Sequence, residues 1–261
     1  MVLRCLAGLL LAAAASSAQA SAWAQPKGKG QVILKAEVLQ ASKGYDASGA
    51  LGSLPEKRTD RAAGMFAEYG LTDQLTLQFK GDWQSGEDAF FDYEGRGPVE
   101  LGVSWQAYRD DRNAVGLYAG YSVSGEGRNA GYEAPGVGGQ DWEVRVSAGR
   151  SLGGLALGPA GRWGPDRSFI EVQAARRMRD GLPDETRADF TVGGHFGRGW
   201  MVLGQAFGGI TDGSGPRWLS VETSVVRNLG RWSVQAGWRR TVAGRETPLA
   251  EGAVLAVWRR F

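Results

Sequence analysis

The sequence contains one histidine, His195, and one cysteine, Cys5. A Cys/His metal centre needs several such ligands at close spacing, so no metal site is expected, and imidazole general-base chemistry has a single candidate. Asp212-Gly213-Ser214-Gly215-Pro216 sets a serine between glycines, but these are the residue types of a tight turn. Two patterns point to noncovalent chemistry instead. Glu143/Arg145 and Arg187/Asp189 are opposite charges two residues apart, which on a strand share one face and either balance charge or orient a polar substrate. Phe90-Phe91-Asp92-Tyr93-Glu94 places aromatic faces beside carboxylates, a combination suited to stacking on sugars and hydrogen-bonding their hydroxyls. Phe90, Phe91 and Tyr93 are therefore the expected glycan-contacting residues. Nothing in the chain calls for a cofactor, and no enzymatic activity is expected.

The elements that must hold these residues are strands. Glycine takes 41 of 261 positions, about 16% against a usual 7% or so, and each weakens a helix interior. Alternation is strong: Leu75, Leu77, Phe79, Gly81 and Trp83 oppose Thr76, Gln78, Lys80, Asp82 and Gln84. The pattern recurs over 99–107 and 142–148. Twelve such segments are predicted, near 31–40, 61–70, 74–84, 98–109, 114–123, 141–151, 167–178, 186–197, 199–209, 217–227, 231–242 and 251–261. Each is about ten residues, the length of a tilted transmembrane strand. The phase of 199–209 is ambiguous, and 167–178 puts Phe169 on the polar face.

Alternation alone fits either a soluble sandwich or a membrane barrel, and three features favour the barrel. Short connections at 70–73, 110–113, 197–199 and 228–230 alternate with longer ones at 41–60, 85–97, 124–140 and 243–250, although 152–166 breaks the rhythm. Aromatics gather at strand ends: Tyr69, Trp200, Trp232, Trp258 and Phe261 at the predicted periplasmic rim, Trp83, Tyr121, Trp142, Trp218 and Trp238 at the outer rim. The last strand ends in Phe261, with Val257, Leu255 and Ala253 on its face, and this resembles the C-terminal signal that barrel-insertion machinery reads; Arg259 departs from that pattern. The expected fold is all-β, an antiparallel transmembrane β-barrel of about twelve strands in the cell outer membrane, surrounded by lipid.

Arg4, the apolar run Leu6–Ala15 and two A-x-A endings, Ala18-Gln19-Ala20 and Ala22-Trp23-Ala24, form a secretory leader. A cut after Ala24 is expected, giving a signal peptide over 1–24 and a barrel over 25–261. Cys5 leaves with the leader, so the mature chain has no cysteine. The charge balance of 30 basic and 28 acidic residues provides no basic field for nucleic acid.

Strand phase predicts a lumen lined by Lys35, Glu37, Glu68, Lys80, Asp82, Glu100, Glu143, Arg145, Glu171, Arg187, Asp189, Glu222 and Arg239. Arg177 joins them. Mixed signs fit a weakly selective pore or a salt-bridged interior. The glycine-rich loop 124–139 could serve as an outer lid. Phase points His195 inward near the periplasmic end, away from the outer rim where outer-membrane lipid hydrolases pair His with Ser.

The run Ala67-Glu68-Tyr69-Gly70-Leu71-Thr72-Asp73-Gln74-Leu75-Thr76-Leu77 resembles a strand, turn and strand unit of small proteobacterial outer-membrane barrels. Those include transporters linked to aromatic-compound degradation and barrels that accompany surface-polysaccharide or biofilm gene clusters. The resemblance implies passive passage or export of a small or linear polar molecule such as a saccharide. The alternatives are a non-conducting envelope protein that supports adhesion or polysaccharide, and an outer-membrane lipid hydrolase.

Overall fold

The structure, a computed structural model, describes residues 22–155 and 164–261. Most of the expected leader, and part of the 152–166 connection, lie outside the described residues. Fourteen strands follow in order among those described: β1 (Gly30–Tyr45), β2 (Leu51–Gly70), β3 (Leu75–Glu87), β4 (Asp92–Arg96), β5 (Val99–Arg109), β6 (Asn113–Val123) and β7 (Gln140–Gly153). β8 (Arg167–Arg179), β9 (Glu185–Phe196), β10 (Trp200–Thr211), β11 (Arg217–Leu229), β12 (Trp232–Arg245), β13 (Thr247–Pro248) and β14 (Glu251–Arg260) complete the chain. Twelve are long and form the wall; β4 and β13 are short ladders in outer loops.

Each long strand pairs antiparallel with its neighbours, and β1 pairs with both β2 and β14, so the sheet closes on itself. Closure is what a bilayer demands, because an open edge would leave a row of N–H and C=O groups without partners in hydrocarbon. Along β5 the outward Leu101, Val103 and Trp105 are exposed, whereas Glu100, Gly102, Ser104 and Gln106 between them are buried. β7 and β11 repeat the arrangement. The apolar side chains therefore sit outside and the polar ones inside, the reverse of a soluble protein. Each outward Leu or Val gains roughly 1.5–3 kcal/mol by meeting hydrocarbon instead of water.

Several strands outrun their predicted lengths. The expected loop 41–60 is mostly a hairpin, with β1 reaching Tyr45 and β2 beginning at Leu51; 85–97 likewise carries the end of β3 and all of β4. Beyond the membrane both faces of a ribbon meet water, so the ladder continues while the alternation that reveals it disappears.

Two aromatic placements are corrected. Trp258 is not at a lipid interface: it shares parity with Val254 and Ala256, points inward and is fully buried. Trp218 also points inward, with its ring 5.7 Å from that of Tyr132. Trp83, Trp142 and Trp238 do face outward near the outer end, and Trp200 and Trp232 near the other, each of the latter two under an arginine, Arg227 or Arg259, at 4.9 Å. Ile33, Phe66, Phe169, Met201, Leu203, Val226, Ala256 and Trp258 form an apolar cluster inside the end that carries the chain termini. That end is the periplasmic one in barrels of this kind.

Candidate functional site

Two ladders of ion pairs line the middle of the lumen. On the wall made by β1, β11 and β12, Glu37 lies 3.0 Å from Lys35 and 3.2 Å from Arg239, which also reaches Glu222 at 2.7 Å. On the wall made by β3, β5, β7 and β8, Glu100 accepts from Lys80 at 3.0 Å, from Arg177 at 2.6 Å and from the Tyr118 hydroxyl at 2.6 Å. Arg177 continues to Glu143 at 2.7 Å, and Glu143 also binds Arg145. Nearer the mouth, Arg179 joins Asp141 at 3.2 Å and also pairs with Glu185, which holds Arg187 at 2.5 Å. Most luminal charge is thus neutralised by neighbours. Asp82 and Asp189 are exceptions: neither has a cation within ion-pair distance among the described residues, and Asp82 instead accepts from Gln84 at 2.9 Å.

The remaining luminal positions differ. Glu68 is buried near the periplasmic end without a cation among the described residues, and it accepts from Gln31, Gln25 and Gln78 at 2.7, 3.0 and 3.2 Å. Glu171 is buried and accepts from Gln173. His195 stands 6.3 Å from Phe169, ring to ring, and hydrogen-bonds to no serine among the described residues.

Above the ladders a vestibule of about 420 Å3 opens at the outer end, lined by Arg58, Asp60, Asp82, Tyr93, Arg128, Tyr132, Arg187, Asp189, Phe207 and Trp218 among others. Two deeper cavities, of about 290 and 190 Å3, lie at the level of the ladders. Arg187 and Phe207 border all three. These two side chains stand where the three adjoin. Below them the apolar cluster fills one side of the bore.

The loop 124–139 folds over the vestibule. Arg128 pairs with Asp88 and lies 3.3 Å from Asp60, which accepts from Arg58 at 2.6 Å and from the Tyr93 hydroxyl at 2.9 Å. Arg179 donates to the Asn129 carbonyl at 2.9 Å, and the Tyr132 hydroxyl donates to Glu185 at 2.6 Å. Burial pulls the Asp88 carboxyl upward, but the Phe90 and Phe91 amides and Arg128 outweigh it and hold its pKa below the usual value. Burial, with Asp60 beside Tyr93 and Glu185 beside Tyr132, pushes both phenols up, so they remain donors.

Of the aromatic loop, Tyr93 lines the vestibule, while Phe90 and Phe91 lie outside it, 76% and 44% exposed, along a separate outer cleft of about 420 Å3. Sequence reasoning missed Arg58 and Asp60, which share the parity of Glu68 but fall in a stretch read as loop. It also missed Phe207, because Met201, Leu203 and Phe207 make the inward face of β10 as apolar as the outward one. Arg128 and Tyr132 had no periodic signal at all.

No family model matches the sequence, and no curated relative does. Solved structures do match in shape. An outer-membrane channel from Pseudomonas putida F1 superposes with a TM-score of 0.65 at 14% identity, over 92% of this chain and 98% of that one. The KdgM porin gives 0.55 at 5% identity over 88% and 99%. The NanC porin gives 0.52 at 8% over 87% and 98%. Closure, the outward apolar band and these likenesses agree: the chain is an outer-membrane β-barrel with the fold of channels and porins.

Proposed function

We propose that this barrel gives passive passage to a small or linear polar molecule of saccharide character, taken in at the outer vestibule. The observation that carries the reading is the vestibule itself, where Tyr93, Tyr132, Phe207 and Trp218 stand among charges that neutralise one another. Paired charges offer many donors and acceptors but little net field, which suits a neutral, hydroxyl-rich solute more than an ion. Aromatic faces supply the stacking surface. The KdgM porin has been solved in complex with disordered oligogalacturonate, so a barrel of this shape accommodates a saccharide chain. In this reading Lys35, Glu37, Lys80, Asp82, Glu100, Glu143, Arg145, Arg187, Asp189, Glu222 and Arg239 line the route. Glu68 and Glu171 stand below it, Phe90 and Phe91 make first contact outside, and the C-terminal strand ending in Phe261 is the segment read at insertion.

Quenching of tryptophan emission on titrating neutral oligosaccharides, compared between wild type and Trp218→Leu, tests the reading. Saturable quenching that the variant loses is expected; identical titrations, or none in wild type, would overturn it. A second reading, a non-conducting envelope protein supporting surface polysaccharide, draws on the apolar cluster that narrows the periplasmic half. The unpaired Asp82 and Asp189 and the three connected cavities favour passage. The two readings separate in proteoliposome swelling with small sugars, which only the first allows.

A further inference from the structure

Residues 22–25 lie within the barrel rather than outside it. Ala22 is fully buried, and its carbonyl accepts from Gln106 Nε2 at 3.1 Å. Trp23 packs on β7 where that strand has Gly149; a Cβ there would come within 2.1 Å of the indole. Gln25 donates its amide to Thr76 Oγ1 at 2.9 Å and its side chain to Glu68 at 3.0 Å. The chain then hooks over the rim, with Gly28 N donating to the Gly70 carbonyl at 2.9 Å and a Cβ on Gly70 excluded by the Pro26 carbonyl at 2.3 Å. These contacts fall on β2, β3, β5 and β7. The apolar cluster fills the side built by β1, β2, β8, β10, β11 and β14. Together the two narrow the periplasmic half of the bore.

A leader cut after Ala24 would remove Ala22 and Trp23, leaving the Gln106 donor without that acceptor and the trough at Gly149 without its filling. The sequence offers an earlier ending of the same type, Ala18-Gln19-Ala20. We propose that the leader is cleaved after Ala20, and that the retained Ala22–Ala24 stretch is a plug that narrows the periplasmic half of the channel. The cut is a hydrolysis by the cell's leader peptidase: water adds across the Ala20–Ser21 peptide bond, leaving a carboxylate on Ala20 and a free amine on Ser21.

Intact mass and N-terminal sequencing of protein extracted from outer membranes read the first half of the proposal. Ser21 as the first residue is expected; Gln25 as the first residue overturns it. Potassium chloride conductance in planar bilayers reads the second half, and it is independent of which solute the vestibule takes. Deleting Ser21–Ala24 is expected to raise single-channel conductance several-fold. Gly149→Leu, which keeps the segment but occupies its trough, is expected to do the same. Shifted gel mobility on heating confirms that each variant is folded, and should the deletion not fold, Gly149→Leu decides. Wild-type conductance in a folded variant overturns the plug.

Discussion

Arg177 is the most heavily engaged cation of the lumen, and replacing it with methionine measures what the ladder contributes. Its guanidinium lies 2.6 Å from Glu100, 2.7 Å from Glu143 and 3.7 Å from Asp141, with the side chain 7% exposed. Removing one partner from a buried pair costs about 3–5 kcal/mol, because the other charge is left without compensation. Here each abandoned carboxylate keeps a second cation: Lys80 on Glu100, Arg145 on Glu143 and Arg179 on Asp141. The low end, about 3 kcal/mol, is therefore expected for Arg177→Met. The exposed pair Arg61–Glu87, at 3.7 Å, serves as the control, and Arg61→Met should cost less than about 1 kcal/mol. Urea unfolding in lipid vesicles, followed by tryptophan emission, provides both numbers. Adding Glu100→Gln and Glu143→Gln to Arg177→Met should deepen the loss, since Lys80 and Arg145 then lose their own carboxylate partners. If Arg177→Met is as mild as Arg61→Met, the ladder is not desolvated and the reasoning fails.

Three further outcomes are expected. Phe207→Ala removes a ring from the junction of the vestibule and both deeper cavities, so uptake of larger sugars into proteoliposomes should rise while that of small ones changes little; equal change for both would place the constriction elsewhere. Arg239→Gln leaves Glu37 with Lys35 and Glu222 with no ion-pair partner among the described residues. A unit charge at about 5 Å in a water-like medium is worth about 0.8 kcal/mol, with opposite sign for cation and anion, so cation preference should rise roughly tenfold. The zero-current potential across a salt gradient measures it. Asp88, whose folded pKa is depressed, stabilises the closed lid above its unfolded pKa of about 3.9, and that stabilisation is lost as pH falls from there through the lower folded value. Acidification through that window should release the 124–139 loop, seen as faster proteolysis within it, whereas Asp88→Asn should show the fast rate already at neutral pH.

The barrel was legible because membrane strands obey one simple rule: lipid outside, polar groups inside, period two. Glu100, Ser104 and Gln106 opposite Leu101, Val103 and Trp105 are enough to orient β5. The rule fails where its cause is absent. Outside the bilayer Arg58 and Asp60 sit on a ribbon wet on both faces, so nothing in the pattern marked them as luminal. Inside the periplasmic half, Trp258 and Met201 are apolar and inward, because they pack on each other's neighbours rather than line water. Parity alone would have placed Trp258 with Ala256 and Val254; the expectation that rim tryptophans face lipid overrode it. The lid residues Arg128 and Tyr132 take their positions from tertiary partners, which no local spacing encodes.

Ile33 on the first long strand and Trp258 on the last are direct register partners, and both belong to the apolar cluster. Neither meets the other until the two ends of the polypeptide come side by side. The oily keystone therefore sets only at the moment the cylinder is zipped, with the indole also donating to Gln235 at 3.2 Å. A half-rolled intermediate holds only the neighbouring-strand contacts, such as Ile33 with Phe66 and Met201 with Val226, whereas the finished ring adds the contact across the seam. Sealing thus completes the cluster, and a ring that has once closed resists being unrolled from its own seam.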